Sequence, residues 1–314
     1  MLYQNDVAMI NQDFNSILDL IKAFPDNQSC IDHLEQLRWN GNVVSPFDPT
    51  SKVYDCKGNK YKCKNTGKYF NVKTNTIFDN TKLDLQKWFL AIWLVTSHKK
   101  GISSLQLGRD LDITQKSAWF MLQRIRKCFG IDDDSELNGE VEIDETYVGG
   151  KSKNRHAKVR ADKSEETTER YRKSTVLGMV ERKGNVRAMI VENATENALL
   201  PQISRHISSK AIIYSDELSS YNKLSRVYDH QTVVHSRGEY VRGRVNTNSI
   251  ESFWALLKRG IVGIYHFTSK KHLQLYVDEF VFRYNTRHGG ESERFNLLLT
   301  NIENRITYNE LING

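Results

Sequence analysis

The chain has 314 residues, with 45 Lys and Arg against 38 Asp and Glu, a formal net charge of +7 and a pI near 9.0. That balance suits a polyanionic partner, and a hydrophobic share of 39% supports real cores in two or three domains. The longest apolar run, FLAIWLV (89–95), falls far short of the roughly 20 residues a membrane span needs. The start MLYQNDVAMINQD has neither the basic opening nor the apolar stretch of a secretory signal, so a cytoplasmic, nucleoid-associated protein with no membrane contact is expected. Four cysteines (Cys30, Cys56, Cys63, Cys128) without paired spacing argue against a disulfide framework.

In chain order, residues 1–39 form a first segment. Within it FNSILDLIKAF and CIDHLEQLRW read as short helices broken around Pro25. Residues 40–80, rich in Gly, Asn, Lys and aromatics, suggest small β-hairpins. Lys57, Lys60, Lys62, Lys64 and Lys68 give that segment a basic face, either for DNA or simply solvated.

Residues 81–130 read as three helices: LDLQKWFLAIWLVTSHKK, then SSLQLGRDL, then TQKSAWFMLQRIRKCF. Ser103 or Ser104 and Thr114 are candidate N-caps, and Gly101 breaks the first helix from the second. The third helix turns Ala118, Leu122, Ile125 and Phe129 inward and leaves Gln115, Lys116, Arg124, Arg126 and Lys127 outside. This is helix-turn-helix spacing, whose last helix lies in the major groove; Gln115, Lys116, Arg124 and Lys127 are its candidate DNA contacts.

Residues 138–290 change to strands mixed with helices: EVEIDETYV, a hairpin over STVLGMVERKGNVRAMIVEN, helix ENALLPQISRHI, strand AIIYSD, helix SSYNKL and strand QTVVHS. Two amphipathic helices complete the domain. Between the first strand and the hairpin, residues 151–173 are nearly all polar; their basic first half, Lys151 included, reads as a DNA-holding or a solvated loop. The last amphipathic helix, KKHLQLYVDEFVFRYNTR, buries Leu273, Val277, Phe280 and Tyr284 and leaves Arg283 and Arg287 exposed; residues 291–314 read as a C-terminal tail.

Three carboxylates stand out. Alternation in the first strand groups Glu142, Asp144 and Thr146 on one side, with Val141, Ile143 and Glu145 on the other. Asp216 closes the apolar strand AIIY and, 35 positions later, Glu251 opens a helix. Ile250, Phe253, Leu257 and Ile261 form the core stripe of that helix, while Glu251, Trp254 and Lys258 share another face. Converging carboxylates repel unless protonated or neutralised, and hard divalent ions, two Mg²⁺ or Mn²⁺, suit their oxygens. Asp144, Asp216 and Glu251 are therefore candidate catalytic metal ligands and Lys258 a fourth candidate catalytic residue, with Lys258 and Arg259 also placed for a phosphate backbone. A local alternative for Glu251 is a capping box with Asn248 as N-cap, and Asn248 is also a fallback ligand. Trp254 stacks on a flipped base or packs on the domain; His235 contacts phosphate or is structural.

The runs EIDETYVGGK, YSDELSSY and NTNSIESFWALLKRGIVGIYHFTSKKHLQLYVDEFVFRYNTR resemble bacterial insertion-sequence transposases of the DDE type, of the ISXO-two-like group, from about Leu34 to Arg287. The resemblance implies an α/β fold: an RNase H-like catalytic domain with a mixed five-stranded sheet, preceded by a zinc ribbon and a helix-turn-helix. It implies binding of terminal inverted repeats in double-stranded DNA, metal-dependent strand cleavage, 3′-OH transfer into target DNA, and a dimer or higher oligomer. The ribbon's four expected ligand positions fall on Ser45, Asp48, Cys63 and Thr66, so the ribbon is degenerate and zinc is not expected. The rival readings are a DNA-binding regulator that has lost catalysis, and an RNase H-like nuclease or resolvase.

Overall fold

The computed structural model describes residues 14–130, 135–150, 156–157, 164, 173–234, 241 and 243–313. The chain divides into two compact units, residues 1–131 with 288–314 and residues 132–287. Among the described residues no helix is long and apolar enough to cross a membrane.

The first unit opens with α1 (Ile17–Ala23) and α2 (Asn27–Trp39). Ser16 caps α1, and Asp26 with Ser29 forms a capping box on α2. A small antiparallel sheet follows, β1 (Val53–Cys56), β2 (Lys60–Cys63) and β3 (Tyr69–Phe70), in the order β1-β2-β3. Its buried side is held by rings: Trp39 meets Tyr61 edge-on at 5.3 Å and Phe70 at 6.1 Å. Of the four ribbon positions only Cys63 carries a thiol. Burial pushes that thiol up, but hydrogen bonds from the Ser45, Ser51 and Thr66 hydroxyls outweigh it and bring it to about 6. Asp48 turns instead to Asn65 Nδ2 (2.7 Å) and to the Thr50 hydroxyl (2.7 Å).

Three helices follow, α3 (Leu85–Ser97), α4 (Ser104–Asp110) and α5 (Gln115–Lys127). Ser103 and Thr114 cap α4 and α5 through Gln106 N and Ser117 N, and Gly101 turns the chain at φ +90°. Residues 291–314, read from the sequence as a tail, contain α9 (Glu291–Leu299) and α10 (Tyr308–Asn313). Phe295 of α9 is fully buried among Phe14 (5.2 Å), Phe89 (5.4 Å) and Phe24 (6.2 Å), so this segment completes the first unit's core.

Arg124 corrects the reading of α5. It is buried, donating to the backbone oxygens of Ile306 (3.1 Å), Ile77 (2.8 Å) and Asp79 (2.8 Å) and lying over the Phe120 ring. Arg126 is buried as well. Long basic side chains at the edge of an apolar stripe pack their stems inward when carbonyls await the head group, which helical period alone does not reveal. Arg124→Ala is therefore expected to destabilise this unit by about 3 kcal/mol, because three acceptors lose a charged partner. Arg124→Lys should rescue little, since a point charge cannot replace the fork. Chemical denaturation checks both; unchanged midpoints would return Arg124 to the list of surface contacts.

In the second unit β4 (Glu140–Val148), β5 (Ser174–Glu181), β6 (Val186–Val191), β7 (Ile212–Ser215) and β8 (Asp229–Thr232) make one sheet in the order β6-β5-β4-β7-β8. Strands β4 to β6 are antiparallel neighbours, and β7 and β8 run parallel to β4. This is the RNase H-like order. The ERKGN turn links β5 to β6, with Lys183 at φ +63°. Strand β8 ends at Thr232, short of the expected QTVVHS run.

Helices cover both faces. Val141, Ile143, Leu177 and Met179 pack against α6 (Glu196–His206) and the 3-10 helix Ser219–Arg226 through Leu199, Ile203, Tyr221 and Leu224. Val176, Val180, Val186 and Ala188 pack against α7 (Asn248–Gly260) and α8 (Leu273–Asn285) through Ile250, Phe253, Trp254, Leu257, Val277 and Phe280. Each such side chain, taken fully from water, contributes about 1.5–3 kcal/mol before entropy is counted. Arg283 and Arg287, expected exposed, fold back: Arg283 is buried on Glu279 (2.5 Å), and Arg287 donates to Gly184 O (3.0 Å). Here too the end of a helix offered carboxylate and carbonyl acceptors to long side chains.

Candidate active site

Asp144 on β4 and Asp216, one residue past the end of β7, lie level with each other. Register pairs Glu142 with Tyr214, and both aspartates lie two residues further on. Alternation puts Glu142, Asp144, Thr146 and Val148 on the face that α7 covers. On the neighbouring strand Gly178 pairs with Asp144, and into the space it leaves comes Trp254, whose Nε1 donates to Asp144 Oδ2 at 2.9 Å. Asp144 Oδ1 accepts the Glu145 amide at 2.8 Å, and Asp216 Oδ1 accepts Leu218 N at 3.0 Å.

Burial, with the charges of Glu145 and Asp216 behind it, raises the Asp144 carboxyl to about 7. Glu145 lies on the opposite face, where Tyr221 Oη donates to it (2.8 Å), and its own carboxyl is raised first by burial. Thus two aspartates and one neighbouring glutamate repel one another where the middle of β4 meets the carboxyl end of β7.

Glu251 is exposed in the first turn of α7, one turn before Trp254, and accepts the Thr247 hydroxyl at 3.1 Å. Lys258 and Arg259 are exposed toward the other end of the helix. The structure therefore brings Asp144 and Asp216 together. Among the described residues it closes no group of three metal-ligating side chains, so Glu251 is not drawn into a cage with them. The donor set nevertheless fits a hard divalent cation. Paired carboxylates, one of them kept protonated to about pH 7 by burial and then by its neighbours' charges, gain most from a positive charge between them.

The capping box with Asn248 as N-cap does not form; Thr247 precedes the helix and Asn248 is its first residue. The cap is non-local. Glu142, fully buried on β4, accepts Ser249 N (2.7 Å) and Ile250 N (3.1 Å) with Oε2, and the Ser249 hydroxyl (3.0 Å) with Oε1. Arg182 balances that carboxylate through Nε at 2.7 Å and also reaches Glu140 (3.0 Å) and Asn246 O (3.0 Å). Sequence reasoning placed Glu142 beside Asp144 but gave it no role. Its one signal was the shared strand face two residues upstream. Trp254 is buried against Asp144, which settles its two readings for packing.

Of the candidate DNA contacts, Gln115, Lys116 and Lys127 are exposed on α5, with Lys116 5.1 Å from the Tyr308 ring. Lys151 and His235 lie outside the described residues. Gly178→Ala should disturb the site directly, because a Cβ there would sit 2.5 Å from the Trp254 ring and 2.7 Å from Ile250. A rigid indole cannot yield cheaply. The substitution is expected to cost about 1–3 kcal/mol and to shift tryptophan emission as the indole leaves Asp144, measured by fluorescence-monitored unfolding.

A mixed sheet of this order, with one aspartate on β4 and another just past the end of β7, has the strand order of an RNase H-like domain. Residues 136–285 match the family described as ISXO2-like transposase domain. Over 276 residues the chain is 28% identical to an "Uncharacterized protein in transposable element ISH50" of Halobacterium salinarum, covering 84% of this chain and 92% of that one. An "Uncharacterized transposase-like protein" of Haemophilus influenzae is 29% identical over 104 residues, 33% of this chain and 83% of the relative. The solved "Crystal structure of the Mos1 Strand Transfer Complex" aligns with 70% of this chain and 78% of its own at 11% identity, with a TM-score of 0.28, too loose a superposition to build on.

Proposed function

We propose that this protein is the DNA transposase of an insertion sequence, cleaving the ends of its element and joining the freed 3′-hydroxyl to target DNA. The observation that carries the reading is the coupled pair of Asp144 and Asp216, set in an ISXO2-like domain beneath the helix that bears Glu251. Asp144 and Asp216, with Glu251 or Asn248 from α7, would hold two divalent ions, magnesium or manganese. Ions so held supply activation of an attacking oxygen and charge stabilisation for a leaving one.

The chain's own groups do the rest. Trp254 fixes one oxygen of Asp144 and keeps water from its buried side. Glu142 holds the N-terminus of α7, and so the height of Glu251 above the sheet. Lys258 and Arg259 offer exposed positive charge to a phosphate backbone. Gln115, Lys116 and Lys127 on α5 are the contacts proposed for the terminal inverted repeats, and pairing two ends requires at least a dimer.

The test is a Mg²⁺- or Mn²⁺-dependent cleavage and strand-transfer assay on DNA carrying the ends that flank the gene, with Asp216→Asn alongside. Products that depend on metal and vanish in the variant are expected. End binding without product in either metal would instead support a regulator, and cutting of branched DNA without joining would support a nuclease.

A further inference from the structure

The small sheet of the first unit has two faces of opposite character. Register pairs Tyr54 with Lys62 and Lys62 with Tyr69, so these three form one row across all three strands. Cys56 opposite Lys60 makes the next row, and Lys52 joined to Lys64 extends the face beyond the strands. By alternation these residues all point away from the Tyr61, Cys63 and Phe70 side that the core covers. Tyr54 is 43% exposed and Tyr69 61%, high values for tyrosines. Lys52 lies 5.5 Å from the Tyr54 ring and Lys62 5.4 Å from the Tyr69 ring. The face carries no acid at these positions, since Asp55 falls on the other parity. At Lys60 and Tyr69 it runs into an open cleft of about 540 Å³, whose further lining includes Asn71, Lys73, Asn80 and Asp79, the last paired with Arg305 at 3.0 Å.

We propose that this face binds an unpaired nucleic-acid strand, with bases stacked on Tyr54 and Tyr69 and phosphates held by Lys52, Lys60, Lys62 and Lys64. Lysines alone fit any polyanion. Exposed aromatic faces interleaved with them fit bases, and each stack is worth about 1–3 kcal/mol whatever the base. A duplex keeps its base faces covered, so it offers the tyrosines nothing. The two rings also stand two strand spacings apart, about 10 Å, against the roughly 3.4 Å per nucleotide of a stacked duplex strand. Adjacent bases on both rings would have to be splayed, which an unpaired strand permits. The face uses none of the carboxylates of the second unit, so the inference stands whether or not the chain transfers strands.

The experiment is fluorescence anisotropy on the full chain with a labelled oligothymidylate and a blunt duplex of equal length, in chelator so that no cleavage intervenes. Wild type is expected to hold the single strand more tightly than does the Tyr54→Ala/Tyr69→Ala variant, by at least about thirtyfold, with duplex affinity unchanged within about twofold. The Tyr54→Phe/Tyr69→Phe variant keeps both rings and should restore binding, and it guards against a folding defect in the alanine pair. Lys62→Ala should flatten the salt dependence of single-strand binding by about 0.7 in log–log slope. Cys56, the one cysteine of four that is not buried, should be shielded from thiol labelling by the oligothymidylate and not by the duplex. Equal loss of single-strand and duplex binding in the alanine pair, or no loss, would overturn the proposal; so would labelling of Cys56 that the single strand leaves unchanged.

Discussion

Glu142→Ala is expected to destabilise the second unit by about 3–5 kcal/mol, the range for removing one partner of a buried, hydrogen-bonded charge pair. Its carboxylate is fully buried and has four donors: Ser249 N, Ile250 N, the Ser249 hydroxyl and Arg182 Nε. Truncation leaves the first amides of α7 without an acceptor and removes the negative charge from the positive end of the helix dipole. Arg182 keeps Glu140, Asn246 O and the Tyr214 ring at 4.3 Å, but loses its fully buried carboxylate partner. Glu142→Gln should fall between, since one amide oxygen replaces two and the amide nitrogen faces donors. Glu140→Ala is the control, expected near 1 kcal/mol or less because that carboxylate is partly solvent-exposed. Urea denaturation of the four proteins decides the matter. A Glu142→Ala midpoint indistinguishable from that of Glu140→Ala would mean that the helix does not depend on this anchor.

The same anchor shows where sequence reading stopped. Alternation correctly put Glu142 and Asp144 on one side of β4, and helical period correctly found the Ile250, Phe253, Leu257 and Ile261 stripe. Both are local rules about direction. What Glu142 touches is 107 positions away, and no local rule carries that information. The capping rule failed at Asn248 for the same reason: it looks three residues ahead, while the acceptor came from a strand. Where the partner is local the rule held, as at Ser103 and Thr114.

Arg124, Arg283 and Arg287 share one departure from the sequence expectation: each is charged, yet none is exposed. Their acceptors are backbone carbonyls and a buried glutamate that become visible only once the chain is folded. Likewise Phe295, Leu298 and Leu299 sat in a segment polar enough to pass for a tail, though they recur at helical spacing and are all buried. At the site Asp144 was legible as a carboxylate within a strand and Asp216 as one that closes a strand. The indole that fixes one of them, and the glycine that makes room for it, were not.

Without a divalent ion the second unit should lose stability as pH rises toward neutrality, and the loss should be smaller in Asp216→Asn. Asp144 has its folded carboxyl raised from 3.8 to about 7, by burial first and then by the charges of Glu145 and Asp216. The folded state therefore holds this proton more tightly than the unfolded one. The stabilisation is full below the unfolded value near 4, shrinks as pH rises between the two values, and is gone above about pH 7. Its ceiling is on the order of 4 kcal/mol from the shift itself. Glu145, also raised, adds to the slope with the same sign. Asp216→Asn deletes one repelling charge, so Asp144 ionises at lower pH and the chelated variant should be the more stable protein above neutrality. A bound cation reverses the order. It favours the ionised pair, so Mn²⁺ should raise the thermal midpoint of wild type well above that of the variant. Because the ion competes with the Asp144 proton, its affinity should climb about tenfold per pH unit below about pH 7 and level off above. Thermal midpoints from about pH 5 to about pH 8, in chelator and then with Mn²⁺ added, test the coupling. If wild type and Asp216→Asn trace parallel curves in chelator, the two carboxylates do not sense each other. If the curves diverge and Mn²⁺ inverts them, the pair is unstable alone and stable around a cation, as a metal-dependent site requires.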